Sequence, residues 1–180
     1  EYFIMAKKKS SKQNSTRWLF AFLFLVIGVA ATCMMFLNNI SLVVTTTAGS
    51  NVSKSVTHYE GLKVIFGYTD SESGTVIYKT NWIAVIGFIL PAVAALMYFG
   101  CACVKVNRRA ACVLPALMFL ASSVLIFLSA VGFRSVNGLS NSDVTLIVRI
   151  VTVYKLDIGA WMGGSLSALG FVVSICGVLA

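Results

Sequence analysis

Trp18–Leu37 reads WLFAFLFLVIGVAATCMMFL, twenty residues without a charge and apolar on every face. A barrel strand alternates apolar and polar positions, whereas a helix surrounded by lipid and other helices does not. About 20 apolar residues, rising about 1.5 Å each, cross a hydrocarbon core about 30 Å thick. Three further stretches, Trp82–Cys103, Ala110–Phe133 and Ile158–Ala180, likewise contain no Asp, Glu, Lys, Arg or His. A barrel would need at least about eight spanning segments, so four helices is the reading. Composition agrees. Of the 180 residues, 58% are hydrophobic and 11% charged, with a mean hydropathy of +0.90, where a soluble domain carries about a quarter charged residues. The expected fold is an all-α membrane bundle of four transmembrane helices with a small antiparallel extracellular β-sheet from the two outer loops.

Charge sets the orientation. Segment 1–17 carries Lys7, Lys8, Lys9, Lys12 and Arg17, and the link 104–109 carries Lys105, Arg108 and Arg109. The other basic residues, Lys54, Lys63, Lys79, Arg134, Arg149 and Lys155, are spread over the much longer segments 38–81 and 134–157. The positive-inside rule therefore places both termini in the cytoplasm and makes 38–81 and 134–157 outer loops at the cell (plasma) membrane. The net charge of +8 is accounted for by topology, and no nucleic-acid partner is expected because no fold is present to offer a basic patch. The lysine run also suits anionic lipid of the inner leaflet, at about 1 kcal/mol per basic residue. Met5, followed by AKKKSSK, reads as the natural start, with Glu1–Ile4 foreign to it. A basic head before an apolar run also fits a signal peptide. The run is longer than a signal core and no small-x-small cleavage site precedes a polar mature region, so a retained span is expected.

Pro91 lies near the middle of the span 82–103 and Pro115 in the first turns of 110–133. Pro91 should kink its helix and free a carbonyl that neighbouring helices must satisfy, while at Pro115 the missing N–H matters less. In the fourth span, 158–180, Gly159 and Gly163 lie four apart, flanked by Ala160, Gly164 and Ala168, with Ser167 continuing the row. Small residues at that spacing let helices approach closely in lipid.

The outer loops carry strand signals. LVVTTT at 42–47 is β-branched from Val43 on, and LKVIFGYT (62–69) and TVIYKT (75–80) flank DSESG, which reads as a hairpin turning at 70–74. On that reading Leu62, Val64, Phe66 and Tyr68 share one strand face, and 144–154 in the second loop supplies another strand. Val64, Phe66, Tyr68, Val76 and Tyr78 are then the expected partner-docking set.

These features together resemble the claudin-like group of four-span proteins: cytoplasmic ends, a long strand-rich first outer loop and a shorter second one. The Trp and Leu-Trp cluster and paired cysteines of that group's first loop are absent here. The stretch GLKVIFGYT at 61–69, followed by a proline-containing span, is also similar to small four-span bacterial membrane proteins of unassigned function. Neither resemblance assigns a functional residue.

Little chemistry is on offer. Cys33, Cys101, Cys103, Cys112 and Cys176 all sit in or at the ends of spans, so no outer-loop disulfide framework is implied. C-x-C with scattered partners is not a metal-ligand spacing, and neither metal nor cofactor is expected. His58 stands alone in His-Tyr-Glu at 58–60, where a solvated loop histidine is the expectation. Asn39-Ile-Ser41 and Asn51-Val-Ser53 match the glycosylation tripeptide on the outer side. Ion-coupled transporters and proton relays keep ionisable groups inside the membrane, and these spans hold none. An enzyme is not expected. The expected function is a non-catalytic scaffold, assembly or accessory subunit that presents an outer β-layer to a partner, its partners being the lipid bilayer and other membrane protein subunits or itself. The alternative is a small oligomeric channel or transporter component lined by Ser122, Ser123, Ser129, Ser165, Ser167 and Ser174.

Overall fold

The computed structural model describes residues 2–72, 74–104, 106–139, 142–145 and 149–179, and of 2–14, 108 and 145 the backbone alone. Four stretches are helices long and apolar enough to cross a membrane: Ser15–Phe36, Trp82–Cys103, Arg109–Phe127 and Ile158–Leu179. The first belongs to α1 (Tyr2–Cys33), which ends in a 3-10 turn at Met34–Phe36. The others are α3 (Trp82–Cys103), α4 (Arg108–Phe127) and α6 (Ile158–Leu179). They form a bundle in which α1 packs on α3 and α6, and α4 on α3 and α6. In its core Phe24 stacks on Phe119 and lies tilted against Tyr98, all three fully buried.

Pro91 lies inside α3 and has no N–H, so the Gly87 carbonyl one turn earlier loses its helical donor. The Ser122 hydroxyl of α4 donates to that oxygen at 2.7 Å and lies 3.0 Å from Ser167 Oγ of α6. Neighbouring helices thus satisfy the carbonyl, as a buried polar group in an apolar helix bundle requires. The third expected span, 110–133, is not one helix, since its span-length part is Arg109–Phe127. Its helix is interrupted at Leu128 and continues as α5 (Ser129–Asn137), ending at Gly138 in the left-handed region, φ 64°.

Between α1 and α3 come β1 (Asn38–Ala48), β2 (Asn51–Glu60), a short helix α2 (Gly61–Phe66) and the small pair β3 (Tyr68–Thr69) and β4 (Val76–Tyr78). Between α5 and α6 come β5 (Ser142–Thr145) and β6 (Arg149–Leu156). The four long strands make one antiparallel sheet in the order β2-β1-β6-β5. Its base is buried and its far end bare, because β1 is buried around Asn39–Ser41 and becomes exposed by Ala48.

Three strand expectations change. First, 62–66 is helical. Val64 and Ile65 are adjacent and both fully buried, Val64 with Ile40 and Phe133, Ile65 with Ala84 and Phe88. A strand would turn one of them away, whereas one helical turn buries both, so packing overrides β-propensity. Gly61 admits the close approach that starts this turn, since a Cβ there would lie 2.1 Å from Met35 O and 2.2 Å from Leu37 O. Among the described residues of the expected 62–80 hairpin, only Tyr68–Thr69 and Val76–Tyr78 form strands, paired across the predicted turn. Second, the main hairpin is β1–β2, turning at Gly49–Ser50, and β2 carries too few apolar residues to announce itself. Third, 144–154 is two strands, β5 and β6, and residues 146–148 between them lie outside the described set.

Candidate functional site

The base of the sheet is tied to the bundle by polar contacts. Asp157, between β6 and α6, donates its N–H to Asn39 O at 2.9 Å, and its carboxylate receives Ile158 N–H at 2.8 Å and pairs with His58 Nδ1 of β2. His58 is therefore a strut between strand and helix rather than a free loop histidine. Asn39 donates to Leu37 O at 2.9 Å and Met35 O at 3.2 Å, fixing the exit from α1. Asn81 caps α3 and donates from its side chain to Ser129 O at 2.9 Å, fastening α3 to the start of α5.

Above this base Tyr59, Tyr78, Phe133 and Tyr154 form a ring cluster, with Tyr78 and Phe133 centroids 5.4 Å apart and Tyr59 and Tyr78 5.7 Å apart. Burial, then the nearby Tyr78, hold the Tyr59 phenol above the usual tyrosine range, and burial, then Tyr59, do the same for Tyr154. Beside the cluster, His58, Tyr59, Glu60, Lys63, Tyr68, Ile77 and Tyr78 line an open groove of about 250 Å³. Lys63 Nζ lies 3.0 Å from the Glu60 carboxylate and 5.0 Å from the Tyr68 ring centroid.

Of the expected docking set, Tyr68 and Tyr78 meet in this groove, Phe66 and Val76 are exposed, and Val64 is fully buried beneath the sheet and cannot face a partner. The strand pattern predicts an exposed sheet edge able to take an added strand, but not that β2 forms one. Strand β2 is exposed over nearly its whole length and pairs with β1 only, among the described residues. The Ala48–Asn51 pair closes a two-residue turn, so alternation aims the N–H and C=O of Val52, Lys54, Val56 and His58 away from β1. The Gly49-Ser50 pair just after the β-branched run 43–47 is the sequence signal that could have revealed this hairpin, and Gly49 does take φ +61°.

In α6, Gly159, Ala160, Gly163, Gly164 and Ser167 are buried and Ala168 is half-buried. Their neighbours are within this chain. A Cβ at Gly163 would lie 2.7 Å from the Phe88 ring, and one at Gly164 2.7 Å from the Phe127 ring. Among the serines, Ser123 donates to Gly164 O at 3.1 Å and Ser174 to Gly170 O at 2.8 Å, while Ser129 is buried and Ser165 exposed. Of the orientation residues, Arg17 is half-buried and Arg109 exposed. The side chains of Lys7, Lys8, Lys9, Lys12 and Arg108, and all of Lys105, lie outside the described residues. All five cysteines are free thiols. Among the described residues no three of His, Cys, Asp and Glu come together.

No protein family's profile matches the sequence, and no curated protein matches it.

Proposed function

We propose that this chain is a four-span protein of the cell membrane with both termini in the cytoplasm, acting as a non-catalytic scaffold, assembly or accessory subunit. It docks an extended segment of a partner protein along β2, outside the membrane. The bare outer edge of β2 carries this reading: an unpaired row of N–H and C=O groups is a template for an added strand. The tether of the sheet base through Asp157 and Asn39 supports it, because a docked strand is then held rigidly above the bundle. The serines support docking over conduction, since the hydroxyls of Ser122, Ser123, Ser167 and Ser174 are engaged inside the bundle.

The test uses the full chain purified from its native membrane in mild detergent. Val56→Pro deletes one outward N–H and leaves the β1–β2 ladder intact, a position where a strand tolerates proline. The expected result is loss of a stoichiometric partner at unchanged melting temperature. A conducting homo-oligomer that is insensitive to Val56→Pro overturns the proposal in favour of a channel.

A further inference from the structure

We propose that the groove between β2, α2 and the β3–β4 pair binds the headgroup of a zwitterionic phospholipid of the outer leaflet. Its ammonium lies against Tyr68 and Glu60, and its phosphate on Lys63. The inference rests on the membrane placement proposed above.

Height is the first observation. The short helix α2 packs through Ile65 on Ala84, Val85 and Phe88 in the opening turns of α3. Asn81 N–H donates to Ile65 O at 2.9 Å, and Thr80 Oγ1 to Phe66 O at 2.9 Å. This level also holds Trp82, 66% exposed. The open side of α2 shows Leu62 and Phe66, one turn apart and 40% and 48% exposed. A tryptophan at the end of a membrane-length helix beside an exposed apolar pair marks the boundary between headgroups and acyl chains. Glu60 and Lys63 begin the same turn, so the groove opens where headgroups lie.

Charge is the second. Glu60 and Lys63 pair at 3.0 Å with their side chains 66% and 44% exposed, so the pair is solvated and easily opened. A simple anion would take Lys63 and strand Glu60, and a simple cation would do the reverse. A zwitterion exchanges the internal pair for two external ones. The face of Tyr68 already accepts an ammonium, that of Lys63 at 5.0 Å, so it suits the ammonium of an ethanolamine headgroup equally well. A volume of about 250 Å³ admits a headgroup and leaves the acyl chains to run over Leu62 and Phe66.

The full chain in maltoside detergent, with ¹³C-labelled tyrosine rings, is titrated with dihexanoyl-phosphatidylethanolamine, dihexanoyl-phosphatidylglycerol and soluble phosphoethanolamine. The Tyr68 resonance, assigned with Tyr68→Phe, should shift saturably with the first and about tenfold more weakly with the others, a difference of about 1.4 kcal/mol. Lys63→Met and Glu60→Gln should each weaken binding about tenfold without lowering the melting temperature, and Lys54→Met should not. Equal binding of the anionic lipid overturns the zwitterion assignment, and equal binding of soluble phosphoethanolamine overturns the lipid source. Insensitivity to Lys63→Met and Glu60→Gln overturns the site. Because the titration is done in detergent, its failure is separable from failure of the membrane placement, which is tested by surface labelling.

Discussion

Pro91 removes one donor from α3, and Ser122 supplies the replacement to Gly87 O at 2.7 Å from a neighbouring helix. Ser122→Ala leaves that buried oxygen unsatisfied, which should cost about 1–3 kcal/mol and show as a lower melting temperature in detergent. Gly28 makes the complementary contact on the other side of α3. A Cβ there would lie 2.6 Å from Pro91 O and 2.7 Å from Ala95 Cβ, so Gly28→Ala should cost about 1–3 kcal/mol by overpacking. The tyrosine cluster makes a pH prediction. Tyr59 and Tyr154 have phenols raised above the ordinary value by burial. Their neutral forms therefore contribute stability fully present below about pH 10, the unfolded value, and lost as pH rises further. Melting temperature should stay level up to that point and then fall, less steeply in Tyr59→Phe with Tyr154→Phe.

At the scale of elements, β2 shows how alternation turns into a usable experiment. Val56 and Thr57 are neighbours in a strand, but only Thr57 belongs to the set bonded to β1. Thr57→Pro should therefore lower the melting temperature while Val56→Pro should not, and reversal of that order would mean that the free edge is misassigned. The β5–β6 pair is held by a two-pronged Asp143–Arg149 contact, with Arg149 donating at 2.9 and 2.5 Å. The Arg149 hydrogen bond, above all, keeps the Asp143 carboxyl below the ordinary range. Because both side chains are exposed, this contact steers strand register more than it stabilises the protein.

For the whole molecule, the basic asymmetry proposes a direction across the bilayer. In a background without native cysteines, Ser71→Cys and Ser140→Cys should react with an impermeant reagent on intact cells, and Asn107→Cys should not. Reaction at Asn107→Cys alone inverts the topology. With all five native thiols free, a reducing agent should leave the melting temperature in detergent unchanged.

The apolar tracts were legible because hydrophobic length is a local property: twenty uncharged residues need no knowledge of their neighbours to be read as a helix. The need for a donor near Pro91 was legible for the same reason, since ring chemistry alone removes the N–H. Which donor answers it was not, because Ser122 and Gly87 are distant in sequence and meet only when α3 and α4 pack. Residues 62–66 were misread because period-two spacing and β-branching describe a surface, and the surface here was decided by two cores. Val64 joins the sheet base and Ile65 the bundle, and only a helical turn serves both. The groove was half visible in Tyr68 and Tyr78. Glu60 and Lys63 reach it through that same unforeseen turn, and His58 through the pairing that ends at Asp157. Sequence by itself determined the four apolar helices and the strand character of the segments between them, both set by side chains a few residues apart. The tertiary structure alone decided which strands, β2 and β5, form the edges of the sheet and which polar groups meet at its base, because those depend on pairings between residues far apart in the chain.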